Sequence, residues 1–213
     1  IAKWFNSKGI AAFVLKYRLP TSPTLINPQW APLQDAQRAI RIVRQNAEQW
    51  NIDGSQIGVM GFSAGGHLAS TLGTHYNEDT LKGINTDPIN SISARPDFMM
   101  LIYPVITFDK KYYHGGSKNA LVGENAKQET VDYFSNNLQV TKDTPSTFLV
   151  HTADDKAVPV ANSILFYEAL IKQKVPAEMH LYPEGGHGYS FAIGKGRLEG
   201  WTDRLYEWIR ELE

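Results

Sequence analysis

The stretch Val59-Met60-Gly61-Phe62-Ser63-Ala64-Gly65-Gly66-His67-Leu68-Ala69 limits the possible folds more than any other part of this chain. It sets a serine between two glycines, G-x-S-x-G, after an apolar segment of strand length and before a run suited to a helix. A serine on so sharp a strand-to-helix turn has its hydroxyl pushed clear of the backbone, and flanking glycines remove side chains that would clash there. The helix that follows aims its N-terminal amides at an oxyanion formed next to that hydroxyl. A tight turn with Ser63 as a helix cap would use the same residues. The remainder of the chain has to decide between the two.

Two further features stand downstream in the order that nucleophilic chemistry requires. A reactive serine needs an imidazole to take its proton and a carboxylate to hold that imidazole in one tautomer. On a strand–turn–helix scaffold the chain order is serine, acid, histidine. Thr147–Thr152 is a short β-rich run that leads into Asp154 and Asp155. Glu178-Met179-His180-Leu181-Tyr182 alternates like a strand and breaks into Pro183-Glu184-Gly185-Gly186-His187-Gly188, which puts His187 on a glycine loop at a strand end. Of the other histidines, His180 falls inside a strand, His151 just before the acid turn and His67 one helical turn after Ser63. These three are expected to be packing or surface residues, and His75 and His114 carry no assigned role.

These segments, together with Leu15-Lys16-Tyr17-Arg18-Leu19-Pro20 and Val158-Pro159, resemble α/β-hydrolase-fold serine esterases of the carbohydrate (xylan) acetylesterase and feruloyl esterase type. The resemblance covers nearly the whole chain. It implies an α/β fold with a mostly parallel sheet flanked by helices, and hydrolysis of acetyl or feruloyl-type esters of carbohydrates through an acyl-enzyme. It also implies that Ser63 is the nucleophile and His187 the base. In the family's H-x-x-x-D-x-x-V-P pattern the acid stands four residues before the proline, which is Asp155 and leaves Asp154 as a carboxylate of the turn. The amide of Ala64, the residue after the nucleophile, is the expected oxyanion donor. The family's second donor comes from a glycine-rich loop upstream of the segment resembling Ala2–Lys8. No such loop precedes that segment, so the reading expects an N-terminally truncated fold, or a strand supplied by a partner. A prolyl-oligopeptidase-like peptidase shares the serine and acid segments but needs a large propeller domain, and a catalytically impaired ligand-binding fragment is the other alternative.

Composition narrows the partners. A net charge of −1 gives no electrostatic reason to bind nucleic acid or an anionic membrane, and no apolar run approaches the roughly 20 residues of a membrane helix. With no cysteine, disulfides, thiolate metal sites and a cysteine nucleophile are excluded. No metal-ligand spacing such as H-E-x-x-H occurs, so neither metal nor cofactor is expected. The expected partner is a small-molecule or oligosaccharide ester.

Strand-like and helix-like segments alternate along a single domain spanning residues 1–213. Ala2–Lys8 reads as a helix stopped by Gly9, and Ala11–Tyr17 as a strand buried on both faces. Four prolines between Pro20 and Pro32 demand a loop. Leu33, Ala36, Ile40, Val43, Ala47 and Trp50 then mark one helix face, with Arg38, Arg41 and Arg44 on a solvated one. Strands are expected at Gln56–Met60, Phe98–Tyr103, Thr147–Thr152 and Glu178–Tyr182, and helices at Gly65–Tyr76, Val160–Gln173 and Trp201–Leu212. The looser segment 104–145 reads as a lid or pocket wall, placed after a strand end where open α/β sheets bind ligands.

Overall fold

The computed structural model describes residues 1–80 and 87–212. Four parallel strands lie side by side in chain order: β1 Gly58–Phe62, β2 Phe98–Ile102, β3 Ser146–Thr152 and β4 Ala177–Tyr182. Gly58 pairs with Phe98, Phe98 with Ser146, and Thr147 with Ala177, so the strands begin nearly level. All five residues of β2 are buried, as a central parallel strand with helices on both faces requires.

The pleat divides the apolar residues between two layers. Phe98, Met100, Ile102, Phe148 and Val150 face one side, with Phe5 of α1 (Ala2–Ser7) and Trp201, Leu205 and Trp208 of α7 (Trp201–Glu211). Met99, Leu101 and Leu149 face the other, with Ala69 of α3 (Ala64–Thr74) and Phe166 and Leu170 of α6 (Ala161–Lys172). Helix α2 (Ala31–Gln45) packs Leu33, Ala36 and Ile40 against Leu72 of α3. It ends five residues short of Trp50, which lies exposed with its ring stacked on Phe13. Segment 104–145 carries α4 (Gly115–Val122) and α5 (Gln128–Tyr133), tied down by a cluster of Val105, Phe108, Val131, Phe134 and Val158.

Two expectations need correction. Ala11–Tyr17 is extended but pairs with no strand among the described residues, and Phe13, Val14 and Leu15 are exposed. Its apolar run has the propensity for a strand, but among the described residues no strand takes its amides. The segment is anchored at its far end, where the Arg18 side chain donates from Nε and Nη2 to Asp35 and the Arg18 amide donates to the same carboxylate. The arginines of α2 are not a free solvated stripe either. Arg38 pairs with Asp87 at 2.6 Å, Arg41 donates to the Ile92 carbonyl, and Arg44 pairs with Asp97 at 2.7 Å. Together they fasten the 87–97 connection onto the helix.

Candidate active site

Ser63, Asp155 and His187 follow the C-terminal ends of β1, β3 and β4, on the rim where open α/β sheets place ligands. Ser63 has φ 53° and ψ −120°, a conformation that is costly for any residue with a β-carbon. The backbone around it over-determines this conformation. Its amide donates to the Ile102 carbonyl at 3.1 Å, and its carbonyl accepts from the amides of Gly66, His67 and Val105. The two motif glycines are not equivalent. A β-carbon on Gly61 would lie 2.1 Å from the Gly65 carbonyl oxygen, whereas one on Gly65 would meet nothing within 4 Å. Steric need therefore falls on Gly61, and also on Gly66, which passes against Pro104.

His187 Nε2 lies 2.8 Å from Ser63 Oγ, and its Nδ1 lies 2.6 Å from Asp155 Oδ2. The tips of three elements, spread over 124 positions of sequence, are thus joined in one hydrogen-bonded line. Asp155 Oδ1 accepts from the amides of Ala157 and Val158, both at 2.9 Å. Burial pushes the Asp155 carboxyl up, but donation from His151, His187 and those two amides outweighs it and holds the group well below the usual carboxylate range. It stays ionised beside His187.

Asp154 does not reach His187 by any described hydrogen bond; its carboxylate accepts from the amides of Gly185 and Gly186. Thr152 Oγ1 donates to the Gly186 carbonyl at 2.7 Å, and Lys195 Nζ to the Gly185 carbonyl at 3.0 Å. Gly186 and Gly188 both have positive φ, so the loop can double back and present the imidazole. The Tyr103 ring, which follows β2, stands edge-on to His187 with centroids 4.9 Å apart. Sequence reading had not found Thr152, Lys195 and Tyr103, because their contacts are with backbone or an aromatic face and leave no spacing to read.

Ala64 is the first residue of α3, where an amide has no carbonyl one turn back to bond. It also borders a cavity of about 290 Å³ lined by Tyr17, His67, Leu68, Phe108, His114 and Ser117, among others. A wider groove of about 590 Å³ runs along β4 past Tyr182, Lys195, Arg197 and Arg204 but touches none of the three joined residues. The smaller cavity is the one that reaches Ala64, next to Ser63. His67 is packed, as expected, with Nε2 2.8 Å from the Phe134 carbonyl and its ring stacked on Phe108. Burial lowers its pKa to about 4, against the Phe134 carbonyl, which favours the proton, and with neighbouring His75, which disfavours it. His180 is half-buried and bonds Glu178. His114 caps α4 through Nδ1. His151 is fully buried and contacts Asp155 directly.

Residues 1–170 match the model of a family described as BD-FAE. The chain is 40% identical over 203 residues to endo-1,4-beta-xylanase B of Butyrivibrio fibrisolvens, covering 95% of this chain and 31% of the relative. It is 34% identical over 213 residues to an acetylxylan esterase of Xylanibacter ruminicola, covering 98% and 40%. The chain thus spans less than half the length of these curated relatives. A crystal structure of an acetyl ester-xyloside bifunctional hydrolase from Caldicellulosiruptor lactoaceticus superposes with a TM-score of 0.90 at 46% identity, covering 99% of this chain and 75% of that one.

Proposed function

The chain belongs to the BD-FAE family, and from that premise we propose that it is a serine carboxylesterase acting on acetyl, or feruloyl-type, esters of carbohydrates. The observation that carries the reading is the line Ser63 Oγ–His187 Nε2–His187 Nδ1–Asp155 Oδ2, with separations of 2.8 and 2.6 Å. An acetylxylan esterase and a bifunctional acetyl ester-xyloside hydrolase among its relatives support the substrate class.

In this reading Ser63 attacks the ester carbonyl while His187 takes its proton, and the Asp155 carboxylate stabilises the imidazolium. The amide of Ala64 donates to the oxygen that gains charge. Collapse breaks the bond to the sugar oxygen, which takes the proton from His187 and leaves as a hydroxyl. Water then enters, His187 deprotonates it, and a second tetrahedral intermediate releases the carboxylic acid. The cavity beside Ala64 receives the substrate, and segment 104–145 walls it through His114 and Ser117.

The test follows release of acetate from acetylated xylo-oligosaccharides and hydrolysis of p-nitrophenyl acetate by the chain and its Ser63→Ala variant. A fluorophosphonate label reports independently on activation of Ser63. Labelling at Ser63 with ester turnover abolished in Ser63→Ala supports the reading. Turnover that survives the substitution excludes Ser63 as nucleophile, and labelling without turnover favours an impaired, ligand-binding protein.

A further inference from the structure

We infer that His151 is a positioning residue that acts on His187 through Asp155, with Ser163 fixing its tautomer. This rests on the esterase reading only in taking His187 as the base.

His151 is the penultimate residue of β3 and is itself completely buried. Its Nε2 lies 3.1 Å from Asp155 Oδ2 and 3.1 Å from the Val158 carbonyl oxygen. A carbonyl oxygen can only accept, so Nε2 carries a hydrogen, shared between the two oxygens. The other ring nitrogen, Nδ1, lies 2.8 Å from Ser163 Oγ on α6. In the neutral ring Nδ1 is an acceptor, and the Ser163 hydroxyl donates to it. Ser163 is fully buried, so this hydroxyl has no solvent to turn to.

Asp155 Oδ2 therefore accepts from two imidazoles, His187 at 2.6 Å and His151 at 3.1 Å, while Oδ1 accepts from two amides. The carboxylate is held by donors on both oxygens and cannot swing away from His187. The second imidazole also has an electrostatic effect. Charge on Oδ2 that answers His151 is less available to stabilise a proton on His187. His151 accordingly competes with His187 for that charge. The other groups around this pair are Ser63 Oγ at His187 Nε2, and the edge of Tyr103, which itself packs on Tyr189. Asp154 accepts from the Gly185 and Gly186 amides and stands beside the Thr152 side chain, and Lys195 donates to the Gly185 carbonyl.

The substitutions His151→Asn and His151→Gln separate this role from packing. Asparagine places its amide near the position of Nδ1, toward Ser163, and leaves Asp155 without the donor. Glutamine reaches the position of Nε2 and restores it. With the full chain labelled with 15N in its histidine rings, NMR reads the His151 tautomer and the His187 titration, and p-nitrophenyl acetate hydrolysis gives the pH profile of kcat/KM. The expected result is His151 protonated at Nε2, with the His187 midpoint moved up by about half to one pH unit in His151→Asn and unmoved in His151→Gln. The acidic limb of kcat/KM should move with it. A His151 protonated at Nδ1 in the unaltered protein overturns the inference, and this measurement stands even where neither variant folds. Equal midpoints in both variants and the parent also overturn it, since lost rate alone is what a packing role predicts. A midpoint that moves as expected in a protein without ester turnover upholds the inference and counts against the esterase reading instead.

Discussion

The strand-end rim and the flanking segment Ala11–Tyr17 differ in how their polar backbone is answered. At the rim, Ser63 sits at a φ of 53° because its amide and carbonyl are engaged by Ile102, Gly66, His67 and Val105. On the flank, Ala11–Tyr17 has the same apolar, strand-forming character as β2, but nothing described pairs with it, and Val14 is 86% exposed. Partners, more than propensity, make the difference. Apolar sequence becomes strand here only where a neighbouring strand takes its backbone hydrogen bonds.

The largest test of the rim is chemical. Ser63→Ala should lower kcat for p-nitrophenyl acetate by roughly four to six orders of magnitude, with the fold intact by circular dichroism. Asp155→Asn should cost about 10⁴ in kcat, because the amide no longer selects the His187 tautomer that faces Ser63. Thermodynamics then compares rim, core and flank. Phe148→Ala, which opens a cavity between β3 and α7, should destabilise by about 3–5 kcal/mol in urea titrations, whereas Val14→Ala should stay within about 0.5 kcal/mol. A large loss at Val14 would show that the flank is covered in solution.

Acid provides the next test. The folded chain holds His67 neutral down to about pH 4, while an unfolded imidazole takes its proton near 6.5. The unfolded state therefore binds the proton first, and stability falls as pH drops through that window, by about 3 kcal/mol in all. His75, also depressed by burial, acts in the same direction. Asp155 contributes with the usual sign of a depressed carboxylate: its stabilisation is present above the unfolded value near 4 and is lost only below it. Unfolding free energies at pH 7, 5.5 and 4.5 should show the histidine slope, and His67→Gln should flatten it. The smallest contrast concerns the motif glycines. Gly61→Ala should cost about 1–3 kcal/mol from the clash with the Gly65 carbonyl, while Gly65→Ala should be neutral or stabilise by up to about 1 kcal/mol.

Much of this architecture was readable beforehand, for identifiable reasons. The four strands and the helices between them announce themselves by apolar runs and by spacings of three and four, which depend only on nearest neighbours along the chain. Ser63, His187 and the pair Asp154 and Asp155 could be read as candidates because each lies near a strand end with turn residues around it, and the resemblance pointed to Asp155. Helix α2 was overextended to Trp50, since the Ala47 and Trp50 spacing continues a face that the chain has already left at Asn46. The arginines of that helix were misread because their acceptors, Asp87, Ile92 and Asp97, lie about fifty residues away in sequence.

Local sequence thus determined which segments are able to form strands and helices and which side chains bear nucleophilic or basic groups, because backbone propensity and side-chain chemistry are properties of a residue and its immediate neighbours. Only the tertiary structure decided that Asp155 rather than Asp154 meets His187, that His151 meets Asp155 from behind, and that Ala11–Tyr17 lies outside the sheet. Asp155 and His187 lie 32 positions apart and meet at 2.6 Å, and hydrogen-bond closure at that range is a property of the packed whole.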